Sequence, residues 1–112
     1  MTIIYKIITT GELKGMASGT FGNMVKAVVD IDREIVAVDA ELHSDLEALL
    51  LENGSMQKNL WGINLYPDMV GEDFIEFDSL INIRPSQGNR GRGVEDEDVR
   101  NEILHVVAKR IK

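Results

Sequence analysis

No cysteine occurs among the 112 residues, which excludes disulfides, thiolate metal sites and cysteine nucleophiles together. Histidine is nearly as scarce. With only His43 and His105, a zinc centre would have to lean on carboxylates, and no HExxH is present. Positive charge is in deficit: 12 Lys and Arg against 19 Asp and Glu leave a net charge of −7. A global attraction to nucleic acid or to anionic lipid is therefore not expected. Aromatic residues make up 5% and are not interleaved with basic ones, which counts against a base-stacking platform. No apolar run approaches the ~18 residues that span a bilayer. The segment Met1–Ile8 has neither a basic start nor a long apolar core, so it does not read as a signal peptide. A cytoplasmic location without membrane contact is the expectation.

What the chain does have is a core. Leu, Ile, Val and Phe supply 35 of the 112 residues, well above the roughly one-fifth below which disorder sets in. The length suits one domain spanning 1–112.

Ile3–Ile8 reads as a first strand, and Thr9-Thr10-Gly11-Glu12 as a capping box opening a short helix around Leu13, Met16 and Ala17. Gly19 and Gly22 end it. Met24–Ile31 and Glu34–Ala40 read as a hairpin around Asp32-Arg33. In its first arm Val25, Ala27, Val29 and Ile31 alternate with Met24, Lys26, Val28 and Asp30. Ser44-Asp45-Leu46-Glu47 is a second capping box. It starts a helix with the stripe Leu42, Leu46, Leu49, Leu50, and Asn53-Gly54 stops it. Leu60–Tyr66 alternates as a strand, and so does the longer run Asp73–Arg84, with one wet face, until Pro85 ends it. The acidic run Glu95–Asp98 suits a final helix start, followed by the stripe Val99, Ile103, Val106, Val107, Ile111. His105 falls on the polar face. The order β-α-β-β-α-β-β-α predicts an α+β fold, a mostly antiparallel or mixed five-stranded sheet with helices packed on one face. Leu46, Leu49, Leu50, Trp61, Ile63, Phe77, Ile81 and Ile103 are expected in one core.

The charge is unevenly placed. No Lys or Arg lies between Lys58 and Arg84, whereas Arg84, Arg90 and Arg92 put half of the six Arg into nine residues. The loop Arg84–Gly93 is the leading site candidate. Arg84, Gln87, Asn89, Arg90 and Arg92 could hold an anion, because Arg forks match phosphate or carboxylate and glycines let backbone N–H groups approach. The loop runs toward a helix N-terminus, yet it is neither a Walker loop nor GxGxxG. The competing reading pairs these Arg with Glu95–Asp98 or with the acidic strand. On the binding reading Arg84, tied to the end of a strand, is expected to pair within the protein, leaving Arg90 and Arg92 at least partly exposed and available.

A second candidate is Glu41, His43, Asp45 and Glu47, as metal ligands or a tuned base. Against it, Glu47 is expected in the capping box, and His43 is expected to face solvent just before the cap. A third is the polar face Asp73, Glu76, Asp78 and Asn82, with Asp30 and Asn64, as oxygen ligands for Mg²⁺ or Ca²⁺ or as a solvated sheet face. That face could also meet the Arg loop of a second copy in a homodimer. No Ser lies in a GxSxG context.

The segments "FGNMVKAVVDIDREI", "ELHSDLEALLLENGS", "LWGINLYPD" and "FIEFDSLINIRPSQGNRGRGVED" resemble a family of short prokaryotic proteins characterised as a domain of unknown function. The likeness covers residues 21–98. It implies a stand-alone prokaryotic cytoplasmic protein and supplies no catalytic residue, substrate or cofactor. The expected role is a binding or interaction module whose loop contacts an anionic small molecule or an acidic protein surface, with no cofactor. The alternative is a metal-assisted hydrolase or transferase acting on a phosphorylated substrate, so whether the chain is an enzyme stays open here.

Overall fold

The computed structural model describes residues 1–112. Thr9 caps the first helix as its sequence predicts: its Oγ1 accepts from the Glu12 N–H at 3.1 Å, and Glu12 reaches back to the Thr9 hydroxyl. That helix, α1, spans Thr10–Ser18 after a short strand β1, Thr2–Ile4. The hairpin arms are β2, Val25–Asp30, and β3, Ile35–Val38. Their turn is organised by the buried Asp30 carboxylate, which accepts from Asp32 N, Arg33 N and the Ser55 hydroxyl. Three donors compensate a charge held out of water. Helix α2, His43–Glu52, leads to β4, Leu60–Leu65, then the two-residue β5, Ile75–Glu76, and finally α3, Glu97–Arg110. Asp96 caps α3, and the stripe Ile103, Val106, Val107, Ile111 is buried as its period predicts.

All pairings in the five-stranded sheet are antiparallel, in the order β1-β3-β2-β4-β5. The α+β class therefore stands. The distribution of helices differs from expectation. Val25, Ala27, Val29, Trp61, Ile63 and Leu65 pack with residues of α1 and α3, such as Leu13 and Ile103. Val28, Ile35, Ala37 and Leu60 face the other way and pack with Leu46 and Leu50 of α2. The single expected core is thus two, one on each side of the sheet. Hence every residue of β4 is buried, where a half-wet strand was predicted. Leu46 and Leu50 fix α2 on the sheet, and truncating either to Ala should cost about 2–5 kcal/mol.

The second correction concerns Asp73–Arg84. The chain pairs with β4 only through Asn64↔Glu76 and Leu65↔Ile75 and then leaves the sheet. Side chains occupy what a longer strand would have used. Asn82 Oδ1 accepts from the Gly62 N–H at 2.8 Å, and Asn82 Nδ2 donates to the Gly62 carbonyl at 2.9 Å. Phe77 and Ile81 are therefore only half-buried, and Ile83 is exposed.

The third correction is at α2. No side chain caps it, and the residue at the cap position is Leu42. Ser44 and Glu47 form no capping box, because the helix begins at His43, two residues earlier than the motif requires. His43 is accordingly buried rather than solvent-facing. No helix is long and apolar enough to cross a membrane.

Candidate functional site

The Arg loop is held from within. Arg84 is buried against the Trp61 ring, its guanidinium 4.3 Å from the ring centre. It donates to the carbonyls of Gln57 (2.6 Å), Ile81 (3.2 Å) and Leu60, and to Gln87 Oε1 (3.2 Å). Burial pushes its pKa down, and the Glu47 carboxylate opposes this. Its partners are three backbone carbonyls and the Gln87 side chain, and no carboxylate is among them. Gln87 ties the loop to the Lys58 carbonyl at 3.1 Å. Asn89 is buried and donates to the carbonyls of Asn82, Gly91 and Gly93, while its Oδ1 accepts from Glu95 N. Arg84, Gln87 and Asn89 thus shape the loop. Arg90 and Arg92 are exposed. Arg90 contributes its backbone N–H to Glu95, and Arg92 Nε lies 2.7 Å from Asp78 Oδ1.

The metal candidates do not converge. Asp45 is exposed in the first turn of α2, and Asp73 is exposed in the short turn Gly71–Phe74. Glu76 accepts from Asn64 Nδ2 (2.8 Å) and from the Tyr66 hydroxyl (3.0 Å). Burial and that carboxylate raise the Tyr66 pKa. No group of three His, Cys, Asp or Glu side chains is placed to hold a metal ion.

A different constellation forms where the start of α2 faces the loop after β5. A cavity of about 220 Å³ is lined by Lys26, Leu42, His43, Ser44, Ser79, Leu80, Ile81 and Arg92. Lys26 projects from β2 with no carboxylate in ion-pair contact; its ammonium lies 5.4 Å from the Phe21 ring. Arg92 engages Asp78 through Nε alone, so its terminal nitrogens are free to donate. The amides of His43 and Ser44 open α2 without an intrahelical acceptor, and Leu42 has no side-chain oxygen to offer them.

Two nearly buried polar side chains complete the wall. Ser79, 1% exposed, accepts from Ile81 N at 3.3 Å, and its hydroxyl proton has no acceptor within the protein. His43, 8% exposed, holds the Ile63 carbonyl at 2.8 Å through Nε2, while its Nδ1 is unpartnered. Burial lowers the His43 pKa below its ordinary 6.5. The Ile63 carbonyl and Asp78 work against that shift, and Lys26 and Arg92 add to it. Of the residues singled out in the sequence, the cavity unites only His43 and Arg92, with Asp78 behind Arg92. Lys26, Ser44 and Ser79 were missed as site residues. A lysine in the middle of an apolar strand was the available signal for Lys26.

The chain belongs to the family described as "Protein of unknown function (DUF5674)", whose model matches residues 2–110. No curated protein and no solved structure matches it.

Proposed function

We propose that the chain is a binding module for a small oxyanion, received in the cavity between the start of α2 and Arg92. One observation carries this reading. In a protein of net charge −7, a concave site gathers Lys26, Arg92 and two uncapped helix amides, with no carboxylate among its lining residues. Uncapped N–H groups and the positive end of a helix favour negative charge, and a guanidinium and an ammonium add to that field. The loop Arg84–Gly93 contributes through Arg92, with Arg84 and Asn89 holding it in place. The resemblance to prokaryotic proteins and the lack of cysteine support a cytoplasmic prokaryotic setting. The alternative of a metal-assisted hydrolase or transferase gains nothing from carboxylates that stand apart.

The test is a titration with inorganic phosphate and with sulfate, followed by amide NMR shifts and melting temperature. Shifts should concentrate at His43, Ser44 and Lys26, because a ligand bound only by the folded state raises the melting temperature. Lys26→Met and Arg92→Ala should each weaken the response about tenfold, and Arg90→Ala should leave it unchanged. Shifts spread evenly over Lys and Arg side chains, or no response to either anion, would overturn the reading.

A further inference from the structure

We infer that the ligand is a hydroxylated oxyanion, its anionic group between Lys26, Arg92 and the α2 amides and its hydroxyl donating to His43 Nδ1. This assignment of ligand class rests on the anion-binding reading above. A carbonyl oxygen only accepts, so the 2.8 Å contact to Ile63 places the proton of the neutral ring on Nε2. Nδ1 is then a bare acceptor. Around it, the other polar groups available to a ligand can donate: the Lys26 ammonium, the Arg92 terminal nitrogens, the amides of His43 and Ser44, and the hydroxyls of Ser44 and Ser79, of which the exposed Ser44 hydroxyl can also accept.

A simple anion satisfies those donors but sets its own lone pairs against the lone pair on Nδ1. A ligand that also carries a hydroxyl satisfies both kinds of group. A nearly buried acceptor such as Nδ1, left unpaired by one ligand and paired by another, discriminates between ligands differing by one hydroxyl. The cavity, of about 220 Å³ and open on one side to water, suits a small hydroxy acid or phosphate monoester. The charged groups facing the ring are Lys26 from β2 and Asp78 and Arg92 from the loop after β5. Lys26 and Arg92 favour the neutral ring and Asp78 opposes them, with burial the largest influence.

Two pairs of probes, each differing by one hydroxyl, test this on the whole chain: lactate against propionate, and 3-hydroxypropyl phosphate against propyl phosphate, titrated by calorimetry near neutral pH. In at least one pair the hydroxylated member should bind about tenfold tighter, the worth of one well-placed hydrogen bond. The pair that shows the preference distinguishes a carboxylate ligand from a phosphate. The preference should fall below about twofold in His43→Phe. In the wild type the ¹⁵N resonance of the bare Nδ1 should also move on adding the hydroxylated member and stay in place on adding its counterpart, because only the former donates to it. This second arm decides the matter if His43→Phe does not fold. Equal binding within both pairs, or a preference that leaves the Nδ1 resonance in place, overturns the inference while leaving anion binding intact. No binding of any probe, together with no response to phosphate or sulfate, overturns both.

Discussion

The Asn82 side chain acts as a strand residue for Gly62: its carboxamide takes the Gly62 N–H at 2.8 Å and the Gly62 carbonyl at 2.9 Å. Asn82 Nδ2 also donates to the Arg92 carbonyl at 2.9 Å. One fully buried amide therefore joins the sheet to the segment that carries Arg92. Asn82→Ala would orphan two buried backbone groups on β4, each worth about 1–3 kcal/mol. A loss of about 2–4 kcal/mol is expected in urea unfolding, with weakened phosphate binding even where the variant is folded. A loss below 0.5 kcal/mol would show that water replaces the amide.

Gly62 is glycine because Ser79 leaves no room for more. A Cβ at residue 62 would lie 2.5 Å from Ser79 Cβ and 2.6 Å from its Oγ. Gly62→Ala should cost about 1–3 kcal/mol through overpacking. Adding Ser79→Gly removes both clashing atoms, so the double variant should be less destabilised than the sum of the two single ones. Strict additivity in that cycle would mean the clash is relieved elsewhere.

Leu42 leaves the first-turn amides of α2 without a side-chain cap. Leu42→Asp should raise helix stability by about 0.5–1 kcal/mol, because an Asp at the cap position satisfies the first-turn amides. The same change should abolish the melting-temperature response to phosphate, since the amides are then taken and a negative charge sits on the cavity wall. By contrast, Thr9→Ala should cost about 1 kcal/mol at α1 and leave the phosphate response alone. A stabilised Leu42→Asp variant that still binds phosphate would separate the anion from the helix.

Acidification acts through His43. Its folded-state pKa lies below the ordinary 6.5, so in the window just beneath 6.5 the unfolded chain binds a proton that the folded chain refuses. Stability contributed by the neutral ring is complete above that pH and is lost as pH falls toward the folded-state value. Urea unfolding at a series of pH values should show this slope, and His43→Gln should flatten it.

Arg84 and Arg92 should separate cleanly. Arg84→Lys cannot reproduce a planar fork that spans three backbone carbonyls and stacks on Trp61. About 2–3 kcal/mol of stability should go, with a smaller loss of phosphate affinity in the folded fraction than Arg92→Ala causes. Arg92→Ala should do the reverse, because its pair with Asp78 is exposed and adds little to stability.

Local patterns determined much of this protein from the sequence alone. The Thr9–Glu12 cap, the β2–β3 hairpin and the α3 stripe depend on spacing within a few residues, and the chain carries that spacing wherever it packs. The internal engagement of Arg84 and the exposure of Arg90 and Arg92 were expected too, although the strand end that was to hold Arg84 is absent and backbone carbonyls hold it instead. Other features were decided only by tertiary structure. The alternation in Asp73–Arg84 promised a strand, but Asn82 and Ser79 fill the edge of β4 at Gly62, eighteen residues or so away in sequence, so the strand ends at Glu76. The Ser44–Glu47 motif promised a cap, but α2 starts at His43, whose ring binds the Ile63 carbonyl across the sheet. The cavity follows from that same packing. It draws one lysine from β2, two residues from the start of α2 and one arginine from the loop, and no short stretch of sequence holds them together.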